Sequence, residues 1–149
     1  MSLVNPFTQP GKWYKANLHT HTTASDGTQT LAQRVEGYRK SGYHILAITD
    51  HHVTNDVRGL GSRSFLVVSG MEFHPFRPGT KDIHHLVALN VPHGFSFTDK
   101  FLKDGNACIK AVKKAGGESI LAHPNWCGHR YDMYSYLKGY LSLEIYNTA

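Results

Sequence analysis

Residues 45–51 read Ile45-Leu46-Ala47-Ile48-Thr49-Asp50-His51, and this stretch decides the class of fold. Its apolar residues are continuous rather than alternating with polar ones, which is typical of a strand covered on both faces, as in a parallel sheet. Asp50 and His51 follow at the point where such a strand ends. The stretch therefore predicts a buried strand that carries polar chemistry at its carboxyl end.

Five further apolar runs have the length of strands. They lie at 14–18, 65–69, 86–91, 119–122 and 141–146. Helices or long connections separate them, and this alternation predicts an α/β sheet or barrel. No repeat, linker or low-complexity segment divides the chain, so we expect a single domain over residues 1–149.

Three of the connections carry helical patterns. Thr30-Leu31-Ala32-Gln33 is a capping-box pattern, which predicts that the first helix begins here and ends near Gly42. The second helix is predicted over 99–115, although Gly105 interrupts its pattern. A third and weaker pattern covers 133–138.

Polar residues are concentrated where the predicted strands end. Imidazoles and carboxylates follow four of the runs and an amide follows the last; these residues are His19, His21, Asp50, His51, Glu72, His123 and Asn147. In a (β/α) barrel, functional groups gather at this end of the strands. Only His84 and His85 break the rule, because they precede the fourth run.

Composition narrows the class of protein. With 40% apolar and 18% charged residues, the chain resembles ordinary globular proteins. No apolar run approaches the roughly 18 residues of a membrane span, and the first residues lack a signal-peptide pattern. The net charge of +5 comes from scattered Lys and Arg, which does not favour nucleic acid as a partner. Two cysteines cannot form a disulfide framework, so we expect a cytoplasmic protein. Because no apolar run is long enough for a membrane span, we also expect this protein to be soluble and without membrane contacts.

The segment 18–27 contains the strongest single motif. His19 and His21 stand two residues apart at a strand end, so both imidazoles point to the same side and can reach one cation. Ser25-Asp26-Gly27 follows a few residues later. Taken alone, the histidine pair has a simpler explanation, two structural imidazoles in a β-turn, because short motifs recur by chance. The remaining motifs decide between these interpretations.

The chain resembles the N-terminal portion of the PHP (polymerase and histidinol phosphatase) family over residues 14–147. Five motifs occur in the family's order: His19-Thr20-His21 with Ser25-Asp26-Gly27, Thr49-Asp50-His51, an isolated Glu72, a histidine before the fourth run, and Ala122-His123-Pro124. An ordered set is far more specific than any single motif. The resemblance implies a distorted (β/α)7 TIM-like barrel that holds two to three divalent metal ions.

The resemblance also implies a set of metal ligands. His19, His21 and Glu72 would hold the first ion, Glu72, His85 and His123 the second, and Asp26 with His51 the third. Glu72 would bridge two ions, a role that suits a carboxylate because each oxygen can serve one cation. Imidazole and carboxylate ligands without thiolate suit Mn, Fe or Zn and argue against a structural zinc site.

Several neighbouring residues allow more than one interpretation. His84 and His85 compete for one ligand role, and we choose His85 because the family's ligand stands directly before the apolar strand; His84 would then face outward. Asp50 either orients an imidazole or a metal-bound water, or caps a turn as a buried carboxylate. Cys127 is interpreted as a small buried side chain rather than a ligand.

The loop after Ala122-His123-Pro124 offers candidate substrate-binding groups. Asn125 and Arg130 would overhang the metals, and the Arg130 guanidinium can hold a phosphate through two hydrogen bonds. A plain surface arginine is an equal alternative. Trp126 either stacks on a base or covers the core. No ligand role is assigned to His52, His74, Glu144 or Asn147.

These observations predict hydrolysis of a phosphate ester, a monoester or diester of a small molecule or nucleotide, by metal-bound hydroxide. Two or three dications lower the pKa of water, and their field attracts small anionic phosphorylated substrates. Two alternatives are a metal-dependent hydrolase of amide or cyclic ester bonds and a non-catalytic metal-binding PHP module. The latter predicts degenerate ligands, whereas every motif here keeps its ligand type.

One motif of the family is missing from the chain. In the family, an Asp-x-His sequence after the sixth strand supplies ligands to the first and third ions, and no such sequence follows residue 147. We therefore expect an incomplete barrel that lacks its C-terminal strand and leaves the third metal position short of ligands. The first and sixth strands would border an open seam, across which two copies can associate as a homodimer.

Overall fold

The computed structural model describes residues 5–147, in which six strands form one sheet. The strands are β1 Ala16–Asn17, β2 Ile45–Ile48, β3 Leu66–Phe73, β4 Leu86–Leu89, β5 Glu118–Leu121 and β6 Ser142–Leu143. They neighbour one another in chain order. Each lies within or overlaps one of the predicted apolar runs, so the hydrophobic pattern located the strands of the sheet correctly.

Strand β4 runs in the opposite direction to its neighbours. β1, β2 and β3 are parallel, as are β5 and β6, whereas β4 is antiparallel to both β3 and β5. Leu86 at the start of β4 lies opposite Phe73 at the end of β3 and opposite Leu121 at the end of β5. The expectation of a parallel sheet is therefore wrong for β4, and the start of this strand lies at the edge where β3 and β5 end.

Helix α1, Leu31–Lys40, connects β1 to β2 as predicted. The Thr30 hydroxyl accepts a hydrogen bond from the Gln33 backbone, and the Gln33 side chain accepts one from the Thr30 backbone, which completes the capping box. Gly42 has a φ of 73°, a left-handed conformation that favours glycine just after a helix. Val35 packs with buried residues of β2 and β3, so α1 covers this half of the sheet.

The second predicted helix is divided into two pieces. Phe101–Lys103 forms a short 3-10 turn, and helix α2 occupies Gly105–Lys114. Between them Asp104 is extended, and its side chain caps α2 by accepting a hydrogen bond from the Asn106 backbone. An apolar core joins α2 to β3, β4 and β5 and includes Met71, Phe73, Leu86, Ala88, Cys108, Ile109, Val112 and Leu121.

The third predicted helix is shorter than its pattern. Helix α3, Tyr131–Tyr134, is a single turn in the connection between β5 and β6, and it overlaps only the start of the predicted range 133–138. Among the described residues, no helix combines the length and the apolar character needed to cross a membrane.

The sheet curls into a half barrel that is open between β1 and β6. Among the described strands, β1 pairs only with β2 and β6 only with β5, so residues 5–147 do not form a closed seven-stranded barrel. A cavity of about 300 Å³ lies in this gap, and Val87 and Ile120 line it from the inner face of the sheet. His19 lines the same cavity, so the gap leads to the polar end of the half barrel.

Candidate metal centre

Glu72 lies at the centre of the candidate site. Strand β3 continues to Phe73, beyond the predicted end at 69, so Glu72 belongs to the strand rather than to the loop after it. Met71 and Phe73 point into the core beneath α2, and Glu72, between them, points to the inner face of the sheet. Its side chain is fully buried. A buried carboxylate is costly unless cations or hydrogen-bond donors surround it.

Six imidazoles surround the Glu72 carboxylate, three at each oxygen. Nε2 of His19, Nε2 of His21 and Nδ1 of His51 lie 2.9, 3.2 and 3.4 Å from Oε2. Nδ1 of His85, Nε2 of His74 and Nε2 of His123 lie 2.7, 3.4 and 3.5 Å from Oε1. Each oxygen thus has its own set of nitrogen neighbours, which is the arrangement that a carboxylate bridging two cations requires.

The spacing of these atoms fits metal ligation. His51 Nδ1 and His74 Nε2 are buried and have no hydrogen-bond partner among the described residues, although each lies 3.4 Å from a Glu72 oxygen. Two ligand atoms about 2.1 Å from one cation at the tetrahedral angle lie roughly 3.4 Å apart. Imidazole and carboxylate donors suit Mn, Fe or Zn. The residues present therefore fit a divalent cation at either oxygen.

Without a cation, the carboxylates and imidazoles compensate one another's charge. Burial by itself would raise the pKa of Glu72, but hydrogen bonds from His123, His19 and their neighbours lower it far below its ordinary value. Burial would lower the pKa of His19, yet Glu144 and Glu72 raise it to about 9. Burial also opposes a charge on His123, yet Cys127 and Glu72 raise its pKa to about 10. These imidazoles therefore hold protons that a metal ion must displace.

Four groups of three side chains bring ligand atoms within 4.8 Å of one another. The groups are His19, Glu72 and His123; His21, His51 and Glu72; Glu72, His74 and His85; and His85, His123 and Cys127. The structure thus gathers five of the other six predicted ligands around the Glu72 carboxylate. It combines them differently from the sets that the resemblance implied, and it adds His74 and Cys127.

Asp26, the seventh predicted ligand, lies at the rim of this cluster. Its carboxylate oxygens are 3.3 Å from His51 Nε2 and 3.5 Å from His21 Nδ1. Burial acts to raise its pKa, but the charges of His51 and His21 lower it. A Cβ at Gly27 would lie 2.5 Å from the His21 carbonyl oxygen, so the Ser-Asp-Gly motif needs glycine to fold back on the histidine. The structure therefore brings together Asp26 and His51, the pair predicted for the third ion.

Asp50 holds a turn and makes no hydrogen bond to an imidazole among the described residues. It is fully buried and accepts hydrogen bonds of 2.6 to 2.7 Å from the Thr22 backbone and hydroxyl, the Ser25 hydroxyl and the Asn55 amide. These contacts tie the loop after His21 to the end of β2. Ser25 Oγ lies 3.4 Å from His21 Nδ1, so this hydroxyl connects the Asp50 carboxylate to a candidate imidazole ligand.

His84 and His85 point to opposite faces at the start of β4. His85 lies against Glu72, whereas His84 is fully buried on the other face, with its ring centroid 5.1 Å from that of His129 and 5.5 Å from that of Tyr136. The expectation that His84 faces outward is therefore corrected: it turns away from the cluster but into the interior. Neither ring nitrogen has a hydrogen-bond partner among the described residues, and burial lowers the pKa of His84 to about 4.

His74 is a candidate ligand that the sequence interpretation missed. Its Nε2 lies 3.4 Å from Glu72 Oε1, and its ring stacks on that of His85 with centroids 4.0 Å apart. Its Nδ1 lies 3.2 Å from His52 Nε2, so His52 also borders the cluster. The sequence contains a pattern that indicates this role: Glu72 and His74 are two residues apart, as are His19 and His21, and this spacing places side chains on the same side of an extended chain.

Glu144 is a second residue without a predicted role that contacts the cluster. Its Oε2 lies 3.2 Å from His19 Nδ1 and accepts a hydrogen bond from the His123 backbone at 3.1 Å, while its Oε1 accepts one from the Asn147 amide. A carboxylate on the outer nitrogen of a candidate ligand fixes the orientation of the imidazole. Glu144 and His19 are 125 residues apart, so no local pattern reveals this contact.

The predicted substrate-binding residues lie on an exposed loop. Arg130 donates to Asp132 at 2.9 and 3.1 Å, and both side chains are exposed. Among the described residues no contact joins Arg130 or the exposed Asn125 side chain to the cluster. Trp126 lies closer, with its ring centroid 5.2 Å from that of His123, and it covers a candidate ligand rather than the core.

Solved structures with a similar fold include PHP-like metal-dependent phosphoesterases. A structure from Bifidobacterium adolescentis described as a metal-dependent phosphoesterase has a TM-score of 0.69 and 18% identity, over 89% of this chain and 77% of that one. A two-domain protein from Bacteroides vulgatus, described as containing a predicted PHP-like metal-dependent phosphoesterase, has a TM-score of 0.56 and 20% identity, over 80% of this chain and 37% of that one. At these identities the likeness concerns the fold.

Two further comparisons extend this result. An amidohydrolase from Chromobacterium violaceum with bound sulfate has a TM-score of 0.59 and 14% identity, over 74% of this chain and 67% of that one. In sequence, a phosphoribosyl 1,2-cyclic phosphate 1,2-diphosphodiesterase from Eggerthella lenta is 37% identical over 84 residues, which are 52% of this chain and 31% of that protein. No family model matches the chain. The resemblance to PHP phosphoesterases seen in the sequence is confirmed, and the chain spans about a third of the curated relative.

Proposed function

We propose that this chain takes part in metal-assisted hydrolysis of a phosphate ester at the cluster around Glu72. The observation that carries the proposal is the division of six imidazoles between the two oxygens of one fully buried carboxylate. A structural role would not require so many titratable groups at one point, because burying them is costly without a compensating ligand.

The candidate ligands fall into three positions. His19, His21 and Glu72 would hold one cation, Glu72, His85 and His123 a second, and Asp26 with His51 a third. Bound divalent cations lower the pKa of water and neutralise charge on the attacking and leaving oxygens. Glu72 would offer one oxygen to each of two cations, and its negative charge would offset part of their mutual repulsion.

Side chains that contact the outer nitrogens of two candidate ligands hold these imidazoles in the orientation that metal binding requires. Glu144 lies on the outer nitrogen of His19, and Asp50 fixes Ser25 beside the outer nitrogen of His21. Both carboxylates therefore limit the rotation of imidazoles whose other nitrogen faces Glu72. A rigid set of ligands reduces the reorganisation that binding and reaction require.

A small anionic phosphorylated substrate is the expected partner. Trp126 and Asn125 lie exposed at the rim, where a substrate can contact them. Arg130 would reach a phosphate only after leaving Asp132, and such an exposed pair contributes little stability. The relative from Eggerthella lenta acts on a cyclic phosphate diester, which supports the inclusion of diesters among the candidate substrates.

A substrate panel tests the proposal. The chain is stripped with a chelator, loaded with Mn²⁺, Fe²⁺ or Zn²⁺, and assayed against an aryl phosphate, a bis-aryl phosphate, a cyclic nucleotide and an aryl amide. Metal-dependent release from any phosphate ester supports the proposal. Cleavage of the amide alone would overturn it, as would metal binding without hydrolysis of any compound.

The amide outcome corresponds to the second candidate function. A metal-dependent hydrolase of amide bonds can use the same ligands, and one neighbour in fold is described as an amidohydrolase. Binding of metal without any hydrolysis corresponds instead to a non-catalytic metal-binding module. The imidazoles clustered at both Glu72 oxygens favour a catalytic site over a non-catalytic metal-binding module.

A further inference from the structure

The turn after β5 holds a cysteine against a candidate ligand. Cys127 donates its backbone N–H to the His123 carbonyl at 3.1 Å, and His129 donates to the Pro124 carbonyl at 2.8 Å. His123 has a φ of 26°, in the left-handed region, and this conformation turns the chain sharply at the strand end. In this turn the Cys127 sulfur lies 3.3 Å from His123 Nδ1.

The two imidazoles nearest this cysteine each direct one nitrogen to Glu72. His85 Nδ1 lies 2.7 Å from Glu72 Oε1 and His123 Nε2 lies 3.5 Å from the same oxygen. A neutral imidazole donates from one nitrogen and binds a cation through the other. If both N–H groups face Glu72, His123 presents Nδ1 towards the Cys127 sulfur, and His85 retains Nε2 for a cation. A carboxylate behind metal-binding histidines is a common arrangement.

We propose that His85, His123 and Cys127 form a binding position for a soft divalent cation such as Zn²⁺, with the Cys127 thiolate as a direct ligand. One ligand atom from each of these side chains lies within 4.8 Å of the other two. Ligands about 2.0 to 2.3 Å from one zinc ion lie roughly 3.5 Å apart, close to the observed separation of sulfur and Nδ1. On binding, the thiol proton passes to solvent and the sulfur lone pair enters the metal bond.

This position competes with the one proposed for Glu72, His85 and His123. Both use the same two imidazoles, so a cation held by Cys127 leaves Glu72 as a hydrogen-bond acceptor rather than a ligand. Thiolate favours zinc over manganese, whereas carboxylate oxygen suits both. The inference rests on the metal binding of the proposed function and adds that soft and hard cations take different ligands here.

The other cysteine provides a matched control. Cys108 lies on the buried face of α2, where its sulfur donates to the Phe101 carbonyl at 3.1 Å. Burial raises the pKa of the Cys108 thiol to about 12. Cys108 therefore has no access to the cluster, and its substitution removes a thiol without touching a candidate ligand.

Cobalt spectroscopy tests the proposal. The stripped 149-residue chain, Cys127→Ser and Cys108→Ser are titrated with Co²⁺ under reducing conditions, and sulfur-to-cobalt charge-transfer absorption is recorded beside bound cobalt and Mn²⁺-dependent phosphate ester hydrolysis. We expect the band in the wild type and in Cys108→Ser and its loss in Cys127→Ser. Cadmium NMR of the wild type gives the same information without a variant, because sulfur ligation moves the ¹¹³Cd resonance.

The outcomes separate this inference from the proposed function. Bound cobalt and active enzyme without a sulfur band would overturn the thiolate ligand and leave hydrolysis standing. A band that survives in Cys127→Ser would overturn it as well. A band that depends on Cys127 without any hydrolysis would support the ligand and contradict the proposed function, and a chain that binds no cobalt would contradict both.

Discussion

His85 Nδ1 lies 2.7 Å from Glu72 Oε1 because β4 runs antiparallel to β3. His85 precedes its strand, whereas Glu72 stands near the end of its own, and only a reversal of direction brings these positions to one edge of the sheet. In the sequence His85 does not follow a strand, but in the folded sheet it lies at the same edge as the polar residues that do. The same reversal places His85 beside His74, the residue just after β3.

Replacement of Glu72 by glutamine should abolish hydrolysis and lower metal content. The amide keeps the shape of the side chain but removes the charge and one acceptor oxygen, so it cannot bridge two cations. Bound metal is measured by plasma emission and activity with the substrate panel. Glu118→Gln is the matched control, because Glu118 lies at the opposite end of β5 and pairs with Lys113. Full metal content and activity in Glu72→Gln would contradict the bridging role.

His85→Ala should lower metal content, whereas His84→Ala should not. His85→Ala removes an imidazole from Glu72 Oε1 and should cost one bound ion, whereas His84→Ala should leave metal content unchanged. His84→Leu should in addition raise the melting temperature, because it replaces a buried imidazole without hydrogen-bond partners by an apolar group. Loss of metal on substitution of His84, with metal content unchanged in His85→Ala, would show that His84 is the ligand.

Asp50→Asn should destabilise the fold. The amide nitrogen cannot accept the hydrogen bonds that one Asp50 oxygen receives from Thr22 and Asn55, so buried donors lose their partner. Removing such bonds to a charged group typically costs about 2 to 3 kcal/mol. The free energy of unfolding is measured in urea. Asp56→Asn, at an exposed carboxylate paired with Arg58, should leave it nearly unchanged. Equal effects in the two variants would refute the role of Asp50.

Metal affinity should increase with pH across the neutral range. The pKa of His19 is raised to about 9 and that of His123 to about 10, so without a cation both imidazoles are mostly protonated at pH 7. A protonated imidazole cannot bind a cation, so binding releases protons below these pKa values and becomes tighter as the pH rises towards them. At a limiting Mn²⁺ concentration, activity should therefore fall as the pH is lowered from about 9.

Calorimetry in buffers of different ionisation enthalpy measures this proton release. We expect protons to leave on Mn²⁺ binding at pH 7 and fewer to leave at pH 10. Binding at pH 7 without proton release would contradict the predicted charge state of His19 and His123. Activity that is unchanged down to pH 5 would contradict the competition between protons and metal.

The sequence patterns correctly predicted those features of the structure that depend on contacts between residues close together in the chain. The capping box at Thr30 and the glycine at 42 located α1, because each acts within one turn of the helix. The spacing of His19 and His21 placed both imidazoles on one side, because side chains alternate along an extended chain.

Other features depend on contacts between distant segments. The apolar run at 86 has no direction of its own, so the pattern could not reveal that β4 is reversed; the start of β4 pairs with residues of β3 and β5. Glu144 contacts His19 across the sheet, and Asp50 binds a loop formed by earlier residues. His74 is different, since its two-residue spacing from Glu72 is visible in the sequence although no ligand role was assigned to it.

The backbone of His123 is in a strained conformation, and its side chain belongs to the candidate metal cluster. A side chain at a φ of 26° stores strain of about 1 to 3 kcal/mol, which glycine would largely release. A glycine at this position would relieve the strain, but it would also remove one of the imidazoles that compensate the charge of the buried Glu72 carboxylate. The backbone strain at His123 thus accompanies the placement of a ring nitrogen beside Glu72.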